Sequence, residues 1–149
     1  AHVATYVSCT WSNAALNVSF GANLDPATSD INGSGNFAGA NTATTYNVTN
    51  DALSNVAVNI SVQGSQLVSG SNVIGVGNVT WKSNSTNSNS TNMAATGSTV
   101  LSPSYDTSNL IATSEAVGSA AHFRFWIDIP SSQLSGNYIG NYTMQCQQA

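Results

Sequence analysis

Val56-Ala57-Val58-Asn59-Ile60-Ser61-Val62 is the stretch that decides the fold. Branched apolar residues stand at every second position, with small or polar ones between them. Side chains of a strand alternate between its two faces, so this pattern buries one face and gives the other to water. Shorter versions flank the run on both sides. Upstream, Val3 to Trp11 carries Val3, Val7, Cys9 and Trp11 on one side, Ala15 to Phe20 alternates through Leu16, Val18 and Phe20, and Ala43 to Thr49 turns Tyr46 and Val48 inward. Downstream, Val73 to Trp81 ends on Val79 and Trp81, Ala121 to Ile129 aligns Phe123, Phe125, Ile127 and Ile129, and Tyr138 to Cys146 keeps Tyr138, Tyr142, Met144 and Cys146 in phase.

Between these runs lie Gly, Asn, Ser, Asp and Pro. Residues 19–37, SFGANLDPATSDINGSGNF, read as loop, and residues 83–92, SNSTNSNSTN, are too low in complexity to pack a core. Residues 106–117 are expected to hold one short helix. About seven or eight short strands separated by turn signals predict an all-β chain, a single immunoglobulin-like antiparallel β-sandwich. We divide it into an N-terminal strand, residues 1–12, and a sandwich domain, residues 13–149.

Charge is scarce. Charged residues make up 5 % of the 149 residues, against about 25 % in an average chain, and the net charge is −4. With Lys82 and Arg124 as the whole basic supply, binding to nucleic acid or to an anionic membrane surface is not expected. No run approaches the roughly 18 apolar residues of a membrane helix, so no membrane insertion is expected. Few groups titrate, so stability is expected to depend weakly on pH. The chain opens at Ala1 without Met, which fits either a removed export signal or a trimmed chain.

Two cysteines, Cys9 and Cys146, stand near the two ends. Their spacing fits no metal or redox motif, and a bridge between them is preferred over two buried thiols. A bridge implies an oxidising compartment, hence secretion to the cell exterior or surface.

The pattern N-x-S/T occurs at Asn17, Asn32, Asn47, Asn59, Asn78, Asn84, Asn89 and Asn141. Asn, Ser and Thr are abundant, so the count alone says little. Placement says more. Asn17, Asn47 and Asn59 each lie between two inward residues, and Asn78 immediately precedes one, so all four are expected to face solvent. Asn84 and Asn89 sit in the polar loop. Covalent N-glycans would hydrate and protect a surface almost without charge.

Enzyme chemistry finds little to work with, and the chain is expected not to be an enzyme. No G-x-S-x-G elbow and no obvious carboxylate pair occur. His122, Arg124, Trp126 and Asp128 share one strand face, expected to be a solvated face with an Arg–Asp pair. Asp30, Asn32 and Ser34 match the first positions of a calcium loop, but Asn41 stands where the bidentate Glu belongs, so a polar turn is preferred and no cofactor or metal is expected.

Three segments carry a resemblance. Residues 19–29, SFGANLDPATS, resemble the FG-x-LDPGT opening of many archaeal secreted β-sandwich domains. Residues 42–67, TATTYNVTNDALSNVAVNISVQGSQL, resemble their tNTGNVpVNISV strand pair, and residues 123–146, FRFWIDIPSSQLSGNYIGNYTMQC, their closing W-x-D-(I/V)PSSQ strand pair. Such domains resemble the subunits of extracellular filaments of the TasA/camelysin, archaeal bundling-pilus and thread kind. The resemblance implies a homopolymer on an archaeal cell surface, in which each subunit gives a strand to its neighbour's sheet. The matching donor here is Ala1 to Ser8, with His2, Val3, Ala4, Thr5, Tyr6 and Val7 as contacts. The cysteine pair departs from the family pattern and leaves open whether the bridge joins one chain or two. These residues carry no hydrophobic helix of the type IV pilin kind, which disfavours that assembly route. The alternative is a monomeric adhesion or surface-layer domain meeting other cells or surfaces.

Overall fold

A computed structural model describes residues 1–12, 17–33, 46–84 and 99–149. No α-helix occurs among them, and the elements are β-strands with two single 3-10 turns. The strands are β1 (Cys9–Trp11), β2 (Ile31–Asn32), β3 (Tyr46–Asn50), β4 (Val58–Gly64), β5 (Leu67–Ser69), β6 (Asn72–Ile74), β7 (Val79–Asn84), β8 (Thr99–Val100), β9 (Leu110–Glu115), β10 (Ala120–Ile127) and β11 (Tyr142–Gln148). This is more than the seven or eight expected, because several are pieces of two or three residues. The run Val73 to Trp81, for example, is broken by a 3-10 turn at Val76–Asn78 into β6 and β7.

The larger sheet runs β1-β3-β10-β7-β8, with β2 also paired to β10; the smaller runs β11-β4-β9; β5 and β6 form a separate hairpin. All pairings are antiparallel. The two larger sheets face each other across one core, as a β-sandwich does. Tyr46 and Val48 of β3, Phe123, Phe125 and Ile127 of β10, and Val79 and Trp81 of β7 meet Val58, Ile60 and Val62 of β4 and Ile111 of β9. Register keeps these side chains in layers: Phe123 pairs with Tyr46, and Phe125 with Trp81. The inward phase of the founding stretch holds at Val58, Ile60 and Val62, which are all buried while Asn59 is half-buried, but Ser61 on the other face is buried too and Val56 only half-buried.

The expected helix at residues 106–117 is absent. The segment makes one 3-10 turn at Thr107–Asn109 and then becomes β9. Asn109 explains the turn: its amide donates to Asp106 Oδ1 (3.0 Å) and its Oδ1 accepts from the buried Trp81 indole (3.0 Å). A bulge hides the strand that follows. Val58 pairs with Glu115 and Ile60 with Ala112, so one extra residue sits on β9 and alternation fails there. Ser114 takes φ +52° within the bulge, and its amide donates to Asn59 Oδ1 (2.9 Å).

Burial raises the pKa of the Glu115 carboxyl and lowers that of the His122 imidazole. A raised carboxyl favours the protonated fold, so its contribution is full below the ordinary value of 4.5 and is lost as pH rises through the folded value. A depressed imidazole contributes above 6.5 and is lost as pH falls through its folded value. On acidification the two changes oppose each other. Thermal melting at pH 7, 5.5 and 4 is therefore expected to shift the midpoint by less than about 5 °C. A steep continuous fall would contradict this.

Candidate functional site

A groove of about 1020 Å³ opens between the two sheets. One wall comes from the larger sheet, through Phe125 and Ile127 of β10, Val79 of β7 and Leu101 just after β8; Tyr142 of β11 stands on the smaller-sheet side. Val18 and Phe20 line it from the loop that follows Asn17. The last wall is a strap, residues 133–141, laid against the β5–β6 hairpin. Val68 and Ile139 exchange both backbone bonds (2.9 and 3.1 Å), and the Ser65 amide donates to the Asn141 carbonyl (2.8 Å). Gly140 permits this approach: a Cβ there would sit 2.9 Å from the Gln66 carbonyl oxygen. At one end Trp11 stacks on Tyr142 at 5.9 Å, and Tyr142 tilts against Phe125 at 4.9 Å. Burial first, and then the neighbouring Tyr46, raise the pKa of the Tyr142 hydroxyl, so it stays neutral. The groove is thus an uncharged gap between the two sheets, lined by aromatic and aliphatic side chains together with polar ones such as Asn17, Ser65 and Gln133.

Cys9 and Cys146 form a disulfide within the chain. It joins β1, at one edge of the larger sheet, to β11, at one edge of the smaller. The Trp11–Tyr142 stack crosses the same rim. Ahead of Cys9 the chain forms no strand of its own. Val3 is 80 % exposed and Tyr6 54 %, two apolar side chains that this chain does not bury. The rest of this arm lies along the turn at residues 51–55. The Tyr6 amide donates to Asn55 Oδ1 (2.8 Å), the Asn55 amide donates to the Tyr6 carbonyl (3.1 Å), and Asn55 Nδ2 donates to the Ala4 carbonyl (2.9 Å). The Ser8 amide donates to Ser54 Oγ (2.9 Å), and the Ser8 hydroxyl donates to Asp51 Oδ2 (2.6 Å). Of the expected contact residues, His2, Val3, Ala4, Thr5 and Tyr6 are exposed, while Val7 packs partly on the core.

Sequence reasoning missed the turn that holds the arm. Asn50 carries a signal that could have found it, because it continues the inward phase of Tyr46 and Val48 with a polar side chain. It is fully buried, and its Nδ2 donates to the carbonyls of Val56 (3.1 Å) and Glu115 (3.0 Å), which fixes the base of the turn.

The sequons scatter over the surface. Asn17, Asn32 and Asn141 are exposed, and Asn17 and Asn141 stand at the groove. Asn47, Asn59 and Asn78 are half-buried. Asn89 lies outside the described residues, as does the side chain of Asn84. Two sequon amides already have structural work: Asn59 Oδ1 accepts from the Ser114 bulge, and Asn78 Nδ2 donates to the Gly75 carbonyl (3.3 Å). A sugar attaches at Nδ2, so it leaves the Asn59 bond intact and competes with the Asn78 bond. Glycopeptide mapping of native material is therefore expected to find highest occupancy at Asn17, Asn32 and Asn141 and lowest at Asn78. Uniform occupancy would contradict that order.

The face of His122, Arg124, Trp126 and Asp128 is not the solvated surface expected. Arg124 is 4 % exposed and Trp126 1 %. β10 lies between β3 and β7, and side chains on both of its faces are buried. Burial lowers the Arg124 pKa. Asp128 Oδ1 accepts from the Asp30 amide (2.8 Å). Of the calcium pattern, Asp30 takes φ +56° beside β2, Asn32 belongs to β2, and Ser34 lies outside the described residues. Among the described residues no three His, Cys, Asp or Glu side chains gather into a metal-holding group. No helix among them is long and apolar enough to cross a membrane. Compared with known proteins, the chain matches no protein family, no curated protein and no solved structure.

Proposed function

We propose that the chain is a structural, non-catalytic subunit of an extracellular, N-glycosylated archaeal surface filament, a homopolymer in which the groove of one copy receives the N-terminal arm of the next. One pairing of observations carries this reading. A groove of about 1020 Å³ lies between the sheets, and an arm with exposed Val3 and Tyr6 stands ahead of the first strand. Extended, the arm puts Val3, Thr5 and Val7 on one face, the alternation a strand needs to fill such a gap. The disulfide supports an oxidising exterior, and exposed sequons support sugars.

A second reading has an observation in its favour. Cys9–Trp11 pairs with β3 of its own chain, and residues 4–8 bond to their own turn, as suits a monomeric adhesion or surface-layer domain. Deleting residues 1–8 separates the two. In the filament reading the shortened chain keeps its disulfide and its cooperative melt but no longer polymerises. In the monomer reading it loses fold stability. Electron microscopy of cell-surface preparations supplies the direct test: filaments labelled by antibody to this chain support the proposal, and compact monomers alone overturn it.

A further inference from the structure

The arm cannot be in two places. The residues expected to enter a neighbour's groove, His2 to Val7, overlap those that bond to the turn at 51–55. While Ala4, Tyr6 and Ser8 are held there, only the three residues ahead of Ala4 are loose. At about 3.3 Å per extended residue they reach roughly 10 Å and offer one large apolar side chain, Val3. We propose that the turn Asp51 to Asn55 is a latch that holds the arm in the free subunit and sets how fast it can be donated. This rests on the strand-donation reading and adds its control.

Asn55 is the catch. Its backbone amide and its side-chain amide together engage Tyr6 on both sides and Ala4 on one, so a single exposed residue imitates two positions of a partner strand. Beneath it the latch is rigid. The Ser54 amide donates to the Asp51 carbonyl (2.9 Å), and buried Asn50 ties the following chain to β9. The contacts that hold the arm at Ala4 and Tyr6 are polar and exposed, with little net strength each. They order the arm's backbone while leaving Val3 uncovered and Val7 only partly packed, so a groove that buries the Val3, Thr5 and Val7 face outcompetes the latch. An arm held this way is protected yet releasable.

The test uses the full chain with its disulfide intact, alone and carrying Asn55→Ala, beside a chain lacking residues 1–8. Exchange of the Tyr6 amide is followed in the monomers, and growth from sheared filament seeds is timed for all three. Asn55→Ala is expected to speed Tyr6 exchange about tenfold, and growth by a comparable factor, through loss of two side-chain hydrogen bonds. Unchanged Tyr6 exchange overturns the latch, and so does faster exchange with unchanged or slower growth. If the chain lacking residues 1–8 grows as the full chain does, or if nothing grows, strand donation itself falls, which separates its failure from that of the latch.

Discussion

A Cys9→Ser, Cys146→Ser double variant is expected to lose about 3–5 kcal/mol of unfolding free energy, measured by urea unfolding of the oxidised chain and the variant side by side. The bridge spans a sequence separation of 137 residues. Closing so long a loop removes much of the unfolded chain's freedom, about 5 kcal/mol at the upper end of the loop-entropy relation. Its position adds a second effect. β1 has three residues and among the described residues pairs only with β3, while β11 is one edge strand of the smaller sheet. Without the bridge the Trp11–Tyr142 stack is left to hold that rim. Fraying of β1 then frees Thr10, whose hydroxyl donates to Asp51 (2.9 Å), and loosens the arm behind it. Amide exchange at residues 8–11 should therefore rise more than exchange in β4 or β10. A loss below about 1 kcal/mol would mean that other contacts already restrict the unfolded chain, contrary to this account.

How much of this the sequence disclosed depends on the element. Strands with strict alternation were legible. In β4 the inward residues Val58, Ile60 and Val62 are those the pattern selected, and β10 buries Phe123, Phe125 and Ile127 as expected. Reading failed where a local hydrogen bond replaces the ladder. The β9 bulge needs Asn59 to take the Ser114 amide, a contact across 55 residues that no local pattern encodes. The second face of β10 failed for a different reason. A polar row of His122, Arg124 and Asp128 looks solvated until it is known that β10 sits in mid-sheet with both faces buried. That Cys9 and Cys146 bridge was legible, but that the bridge closes a single chain was not, because it depends on the tertiary approach of β1 and β11. Of the site, an alternating run ahead of Cys9 was visible, but neither the exposure of Val3 and Tyr6 nor the groove was. It arises from a strap and a hairpin whose meeting at Gly140 depends on tertiary approach.

Phe123→Ala and Phe125→Ala test whether core and groove are separate properties of one strand. Both side chains are almost fully buried, at 0 % and 2 % exposure, and each substitution is expected to cost about 3–5 kcal/mol, read from denaturant midpoints. Their surroundings differ. Phe123 lies between Tyr46 and Phe125, with ring centres 5.7 Å from both, and does not line the groove. Truncating it leaves a void within the core that the sheets close over only in part. Phe125 touches Tyr142 at the groove's end and forms part of its wall, so its truncation widens the groove itself. A peptide with the sequence of residues 1–8, added to chains lacking those residues, reports on the groove through the fluorescence of Trp11, which lines it. At a temperature where both variants stay folded, Phe123→Ala should bind this peptide nearly as the parent does, and Phe125→Ala about tenfold more weakly or worse, since a large aromatic contact is lost. Equal binding by the two would mean that the arm seats elsewhere. Equal loss of stability with unequal binding would separate the strand's two duties, because a residue that only supports the core has no reason to discriminate a ligand from its absence.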